Sequence, residues 1–281
     1  MSTDGNELIY ERRWAASTRV VRLRPHVWRG LAGSLEGQPL LEIGPGLRPT
    51  IPVEGSYFAE ISSRALDVLA RRGAHVRRYA GGSLPFPDRF FGGVFAFEVL
   101  EHVQEDNVLA REIARVLHTG GRFMLSVPIR MSRWSRLDEL SAHVRRYEPD
   151  ELFDLLRRNG FRVESCEFKT EKIRPGLVTM KASVLQSFPR LTNTFLQGVF
   201  FPLLAGYQRR FAEVRWLPPE AAIPAEATGI TVLTRLVGTT ARLAPGGGDL
   251  PLPAVSGAAF GAEPAPPPSR GRRGRPGRRT R

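Results

Sequence analysis

The chain has 281 residues, of which 42% are hydrophobic and 9% aromatic, so it can form one sizeable core domain with appendages. A single cysteine excludes an internal disulfide framework, and the five histidines show no paired ligand spacing, so we expect no metal site. The formal net charge is +13, but 38 of the 41 basic residues are arginines spread along the chain, so nucleic-acid binding is only a secondary hypothesis.

The N-terminus and the apolar runs bear on location. Residues 1–7 include two acids and lack the apolar core of a secretory signal. No run reaches the roughly 18 apolar residues that a membrane-spanning helix needs. These features predict a cytoplasmic protein.

Composition divides the chain into three parts. Residues 1–37 are predicted to form a helical N-terminal cap, which Pro25 should divide into two helices. Residues 38–243 form the predicted main domain, with a helical insertion at about 170–228. Residues 244–281 are rich in proline, glycine and arginine and are predicted to be disordered, because they cannot bury enough apolar surface. The arginines of this tail would allow weak binding to an anionic partner.

Short apolar segments alternate with amphipathic ones in the main domain. The apolar segments predict seven strands, at Pro39–Ile43, Ser56–Ala59, His75–Arg78, Gly93–Phe97, Arg122–Val127, Arg162–Lys169 and Ile230–Val237. The amphipathic segments predict helices at Ser63–Arg72, Asn107–Leu117 and Pro149–Asn159. Such alternation predicts a doubly wound, mostly parallel α/β sheet. No regular crossover separates the last two strands, so we expect them to pair antiparallel.

Five segments carry the strongest functional signal. The chain offers, in order, a strand that runs into glycines at Leu40–Gly46, a strand that ends on an acid at Tyr57–Glu60, the segment Leu84–Asp88, a strand with an acidic turn at Phe95–His102, and the glycine-containing segment Leu117–Pro128, which includes the fifth predicted strand. In this order and spacing they resemble the class I S-adenosylmethionine-dependent methyltransferases, in the branch whose fourth strand is followed by Glu-Val-Leu-Glu-His. The resemblance implies a Rossmann-like seven-stranded sheet with an antiparallel last strand, and S-adenosylmethionine as the cofactor.

A nucleoside ligand of an open parallel sheet lies at the carboxyl ends of the strands. Gly44 and Gly46 follow the first strand, where a missing side chain lets backbone approach the ligand. The resemblance implies that this turn holds the methionine part of the cofactor, with Glu42 near its amino group. Glu60 ends the second strand, and a carboxylate there can accept two hydrogen bonds from ribose hydroxyls.

The remaining cofactor residues come from the third and fourth strands. The resemblance implies that Ser83 and Leu84 lie beside the adenine ring, and that Glu98 lies at the mouth of the site. The sequence departs from the family at Arg48, Ala80 and Gly92, where the family has a glycine and two aspartates. These departures favour an alternative in which the domain is a degenerate, non-catalytic scaffold.

Three residues are candidates for the acceptor side of the site. A hydroxyl acceptor would benefit from a base, and the imidazoles of His102 and His143 have a suitable ordinary pKa. His102 has the alternative role of holding its loop. Tyr147 belongs with His143 to a His-x-x-x-aromatic segment before a helix, which resembles the family's segment on the acceptor side.

The sequence therefore predicts methyl transfer from S-adenosylmethionine to a small acceptor molecule, without a metal ion. The apolar segment 184–204 is interpreted as a lid over an apolar acceptor pocket, so the acceptor is expected to be a partly hydrophobic metabolite, lipid or glycan intermediate. The scaffold alternative predicts no cofactor binding. The nucleic-acid alternative predicts salt-dependent binding through the tail.

Overall fold

The computed structural model describes residues 8, 10, 11, 14, 19–170, 195–211 and 215–237. The chain divides into two units, residues 1–242 and residues 243–281, and all described residues lie in the first. The predicted disordered tail lies outside the described residues. So do residues 171–194, which belong to the predicted insertion.

A seven-stranded sheet forms the centre of the first unit. Its strands are β1 Leu40–Ile43, β2 Tyr57–Glu60, β3 His75–Arg78, β4 Phe91–Phe97, β5 Leu117–Pro128, β6 Phe161–Lys169 and β7 Gly229–Leu236. They lie in the order β3-β2-β1-β4-β5-β7-β6, and β7 is antiparallel to both of its neighbours while the other pairs are parallel. The predicted fold class, a doubly wound sheet with an antiparallel last strand, is confirmed.

The described helices cover both faces of this sheet. They are α1 Pro25–Arg29, α2 Ser63–Ala70, α3 Asp106–Val116, α4 Arg136–Leu140, α5 Pro149–Arg158 and α6 Phe201–Phe211, with single 3-10 turns at Ala32–Leu35, Leu100–His102 and Met131–Arg133 and a π-helical turn at Leu196–Phe200. Successive residues of a strand point to opposite faces. Val94 accordingly packs in the cluster that contains Leu109 of α3, whereas Phe95 packs in the cluster that contains Leu69 of α2.

The crossover between β1 and β2 contains no helix. Residues 44–56 form turns and irregular backbone, as the two prolines Pro49 and Pro52 require, because each removes a backbone donor and disfavours helix. The crossover is therefore shorter than a connection that contains a full helix. The N–H groups of this crossover therefore make no helical hydrogen bonds, and several of them donate instead to acidic side chains at the ends of β1 and β2.

The N-terminal segment differs from the prediction. Residues 19–24 form no helix, because the Val21 and Leu23 N–H groups donate to the carbonyls of Leu47 and Pro49 at 3.0 Å. Pro25 begins helix α1 instead of interrupting a longer helix, a position where its missing N–H has no cost. Among the described residues, no helix is long and apolar enough to cross a membrane.

Candidate functional site

A cavity of about 1050 Å³ lies at the carboxyl ends of β1, β2, β3 and β4. Seven of the ten predicted site residues line it, namely Glu42, Gly44, Gly46, Glu60, Glu98, His102 and His143. Ser83, Leu84 and Tyr147 do not. The topology brings the seven together because the parallel strands all end at this edge of the sheet.

The glycine turn after β1 has a second function that the sequence did not indicate. Gly44 and Gly46 have φ values of 64° and 54°, which favour glycine. A Cβ on Gly46 would collide with the indole ring of Trp14, which is 2% exposed and forms part of the cavity wall. The turn therefore accommodates both the cavity and a tryptophan of the N-terminal segment.

Glu60 is held rigidly at the end of β2. One carboxylate oxygen accepts the Gly46 N–H at 2.7 Å, and the other accepts the N–H groups of Ile61 and Ser62 at 2.9 and 3.0 Å. Burial raises the pKa of Glu60, and the three N–H donors oppose that rise. A carboxylate offers about four lone-pair sites, so three backbone bonds leave one for a ligand hydroxyl.

Glu42 supports the short crossover rather than reaching far into the cavity. Its carboxylate accepts the N–H groups of Thr50 and Ile51 at 2.9–3.1 Å. Glu42 is 2% exposed, and burial raises its pKa to about 7, against the lowering effect of these two N–H donors.

We expect this raised pKa to make stability depend on pH. The folded state keeps the Glu42 proton above the unfolded pKa of 4.5, so this group lowers the free energy of unfolding as pH rises from about 4.5 to about 7 and has no further effect above that. The full effect is at most about 3 kcal/mol. Denaturant titrations of the wild type and Glu42→Gln at several pH values measure the difference in slope, and equal slopes would contradict the shift.

Glu98 has a strained backbone and a strongly charged environment. Its φ is 56°, a conformation that costs a non-glycine residue about 1–2 kcal/mol and that is common at functional sites. Burial opposes its ionisation, but Lys169 and Arg24, together with a hydrogen bond from Ser126, lower its pKa to about 2. The Lys169 ammonium lies 3.1 Å from its carboxylate, so Glu98 is a fixed negative charge at the cavity.

Ser83 and Leu84 lie behind the cavity wall instead of facing it. The Ser83 hydroxyl and the Leu84 N–H both donate to Glu112 of α3, at 2.8 and 2.7 Å, and the Leu84 side chain is 2% exposed in the core. Gly81 and Gly82 take their place in the lining. Both glycines lie within four residues of the end of β3, and this position in the sequence could have identified them as lining residues.

Two histidines and a buried acid meet at the other end of the cavity. The rings of His102 and His143 are 4.7 Å apart, edge to face. The His143 Nδ1 lies 2.9 Å from a carboxylate oxygen of Asp138, and its Nε2 lies 3.9 Å from a carboxylate oxygen of Glu101. Burial, and then the charge of Glu98, raise the pKa of Glu101 well above its usual range.

Tyr147 is a structural residue in this arrangement. It is 3% exposed, its ring packs in the core, and its hydroxyl donates to the Asp106 carboxylate at 2.8 Å. Burial and then this carboxylate raise the pKa of the phenol. The aromatic position of the His-x-x-x-aromatic segment therefore supports the loop that carries His143 and does not face the cavity.

The predicted lid is not part of the cavity wall where it is described. Residues 195–211 contribute no lining residue, although the Arg48 guanidinium lies over the Phe201 ring at 4.3 Å and the Arg24 N–H donates to Gln208 at 3.0 Å. This part of the insertion packs against the N-terminal segment. The rest of the predicted lid, residues 184–194, lies outside the described residues.

The cavity has the features that S-adenosylmethionine requires. No atom of the described residues lies within 4 Å of the point where a Cβ of Gly81 or Gly82 would stand, so this backbone is open to a ligand. Glu60 keeps one acceptor site for a ligand hydroxyl. The volume is at the upper end of the roughly 300–1,000 Å³ of small-molecule sites, which leaves room for a second molecule.

Comparison with known proteins agrees with this geometry. Residues 53–125 match the family described as "Methyltransferase domain". A protein of Mycolicibacterium smegmatis, which its name places among S-adenosylmethionine-dependent methyltransferases, is 33% identical over 156 residues, covering 49% of this chain and 57% of the relative. A protein of Penicillium expansum named as an O-methyltransferase is 27% identical over 159 residues, covering 50% of this chain and 58% of the relative. The chain thus spans under two thirds of either relative.

A solved structure shows the same fold. The S-adenosylmethionine-dependent methyltransferase from Thermotoga maritima superposes with a TM-score of 0.53 over 82% of this chain and 99% of that one, at 18% identity. This likeness and the strand order identify the fold, and the sequence matches imply S-adenosylmethionine as its cofactor. The chain therefore has the fold of the class I S-adenosylmethionine-dependent methyltransferases, and residues 53–125 match a methyltransferase domain.

Proposed function

We propose that the protein transfers a methyl group from S-adenosylmethionine to an oxygen of a small, partly hydrophobic metabolite, lipid or glycan intermediate. The observation that carries this proposal is the continuity of the cavity from Glu60 at the end of β2 to His102 and His143 after β4 and β5. One end has the features of a nucleoside site. The other brings imidazoles together where a second substrate would bind.

The donor end is the part of the cavity suited to the cofactor. Glu60 would accept a hydrogen bond from a ribose hydroxyl, and the backbone of the Gly44–Gly46 turn and of Gly81 and Gly82 would lie along the ligand. When bound, S-adenosylmethionine supplies a methyl group on a positively charged sulfur. An acceptor lone pair forms a bond to the methyl carbon, the carbon–sulfur bond breaks, and the sulfur leaves as a neutral thioether.

The acceptor end supports an oxygen nucleophile. A hydroxyl loses its proton on methylation, and His143 is suited to receive it, because Asp138 accepts from Nδ1 and thereby leaves the Nε2 lone pair available. The O-methyltransferase name of the Penicillium expansum relative also favours oxygen as the acceptor atom.

The apolar part of the wall favours a partly hydrophobic acceptor. Apolar side chains share the lining with the charged groups, and they include Trp14, Leu23, Phe97, Val99, Val103 and Val108. Such a wall excludes water from the reacting groups, which strengthens the electrostatic interactions of the site. A mainly polar acceptor would gain less from this surface.

We expect Glu60→Gln to weaken the binding of S-adenosylhomocysteine about 10- to 100-fold, since a hydrogen bond to a charged group contributes about 1.5–3 kcal/mol. Titration calorimetry of the wild type and the variant measures the change. Asp67→Asn, an exposed acid on α2, is the matched control and should bind like the wild type. Equal affinities for Glu60→Gln and the wild type would remove Glu60 from the cofactor site.

Transfer itself is tested with S-adenosylmethionine labelled in its methyl group and a panel of phenols, long-chain alcohols and sugar derivatives. We expect label in the ether product of at least one partly hydrophobic acceptor, with a rate that falls in His143→Asn. A folded protein that binds cofactor but labels only amines would contradict oxygen as the acceptor atom. A folded protein that binds no cofactor would favour the scaffold alternative.

A further inference from the structure

Glu101 is an anomaly in the described structure. Its side chain is fully buried at 0% exposure, and neither carboxylate oxygen has a hydrogen-bond partner among the residues that the structure describes. Nearly all buried polar side chains in proteins are hydrogen-bonded, and leaving a carboxylate unsatisfied is costly. The position therefore calls for a partner that the described part of the chain does not supply.

Two imidazoles lie where such a partner would bind. Glu101, His102 and His143 each offer one ligand atom, and these atoms all lie within 4.8 Å of one another. Four-coordinate zinc with bonds of about 2.1 Å holds its ligands about 3.4 Å apart, so shifts of about 1 Å in the side chains would close the site. The sequence did not predict this cluster, because the two histidines lie on different loops.

The hydrogen bonds of the imidazoles orient them as metal ligands. Asp138 can only accept, so His143 carries its proton on Nδ1 and directs the Nε2 lone pair to the side of Glu101, 3.9 Å away. A carboxylate behind a histidine is the usual support of a metal ligand. His102 has its Nδ1 3.3 Å from the Ala142 carbonyl, which places its proton there too, and an ion would replace the Tyr10 hydroxyl at its Nε2.

We propose that Glu101, His102 and His143 bind a divalent transition-metal ion at the acceptor end of the cavity, and that Zn²⁺ is the ion this donor set favours. Two imidazoles and one carboxylate are a donor set of zinc sites that keep one position open. Both histidines line the cavity, so that open position faces the acceptor space.

The role of the ion in transfer rests on the proposed function. As a Lewis acid it would bind an acceptor hydroxyl and lower its pKa, which orients the oxygen and lets its proton pass to water. Because a liganded Nε2 cannot also receive that proton, the ion replaces His143 as the activating group. The binding site itself does not depend on this role and can be tested alone.

The test uses the untagged full chain, freed of metal with a chelator and titrated with Co²⁺ and then Zn²⁺. We expect one Co²⁺ per chain, visible as the absorption of a four-coordinate site, and its displacement by Zn²⁺. Glu101→Gln and His143→Asn should each weaken binding more than 100-fold, beyond the 10- to 100-fold typical of supporting residues. His118→Asn, a histidine bonded to Gln38 outside the cavity, is the control and should bind like the wild type.

Folding and cofactor binding provide independent readouts. Glu101→Gln keeps the size and shape of the buried side chain, so it should fold and still bind S-adenosylhomocysteine, while Zn²⁺ should raise Tm of the wild type and not of this variant. Glu60→Gln should lose cofactor and keep Zn²⁺. No ion binding by a wild type that binds cofactor, or ion binding that survives both ligand variants, would overturn the metal site alone. Ion binding without cofactor binding would overturn the proposed function alone.

Discussion

Replacing Asp138 by asparagine is expected to lower the free energy of unfolding by about 3–5 kcal/mol, the cost of breaking a buried ion pair from one side. The Asp138 side chain is 1% exposed and accepts from Arg146 through two nitrogens at 2.9 Å, from His143, and from both the N–H and the hydroxyl of Ser135 at 2.8 Å. An asparagine amide cannot satisfy the guanidinium of Arg146, which is only 13% exposed.

Thermal unfolding of the wild type and Asp138→Asn measures this effect, and a fall of roughly 6–20 °C in Tm is expected. The surrounding donors hold the pKa of Asp138 below its usual range, so its contribution is present above about pH 4 and is lost as pH falls further. Asp154→Asn breaks an exposed pair with Arg157 and should cost under about 1 kcal/mol. Similar losses in the two variants would contradict the buried network.

Replacing Gly46 by alanine should both destabilise the fold and impair cofactor binding. The positive φ costs an alanine about 1–2 kcal/mol, and the collision of its Cβ with the Trp14 indole adds about 1–3 kcal/mol of overpacking. The Gly46 N–H also holds the Glu60 carboxylate at 2.7 Å. Displacement of this turn should therefore weaken S-adenosylhomocysteine binding at least about 10-fold, as loss of one charged hydrogen bond does.

Gly37→Ala separates the effect of the positive φ on stability from the effect of the collision with Trp14. Gly37 has a φ of 72°, but no described residue has an atom within 4 Å of its Cβ position. It does not line the cavity either, so only the backbone strain applies. Denaturant unfolding should give the larger loss for Gly46→Ala, and calorimetry should show normal cofactor binding for Gly37→Ala. Equal losses of stability would mean that Trp14 does not pack on the glycine turn in solution.

The sheet was predictable because its determinants are local. Apolar runs such as Phe91–Phe97 specify buried strands, and the prolines at Pro49 and Pro52 exclude a helix whatever the rest of the chain does. Most strand ends differ from the prediction by one or two residues. The error at residues 19–24 has a tertiary cause, since their N–H groups pair with the crossover that follows β1.

The site was only partly predictable, because several of its contacts join distant parts of the chain. Strand ends identify Glu60 and Glu98 from sequence alone, but no local pattern places Trp14 on Gly46. The cluster around Glu101 forms because the Val144 N–H donates to the Glu101 carbonyl at 2.8 Å, which brings the loop that carries His143 to the turn after β4. Spacing along the chain does not reveal such a contact.

The most direct test of the account is a calorimetric titration of the purified full chain with S-adenosylmethionine and S-adenosylhomocysteine. The cavity at the ends of β1, β2, β3 and β4 predicts one site per chain with micromolar affinity for both ligands. Absence of binding to either, by a protein whose circular dichroism and cooperative melting show that it is folded, would contradict a functional cofactor site.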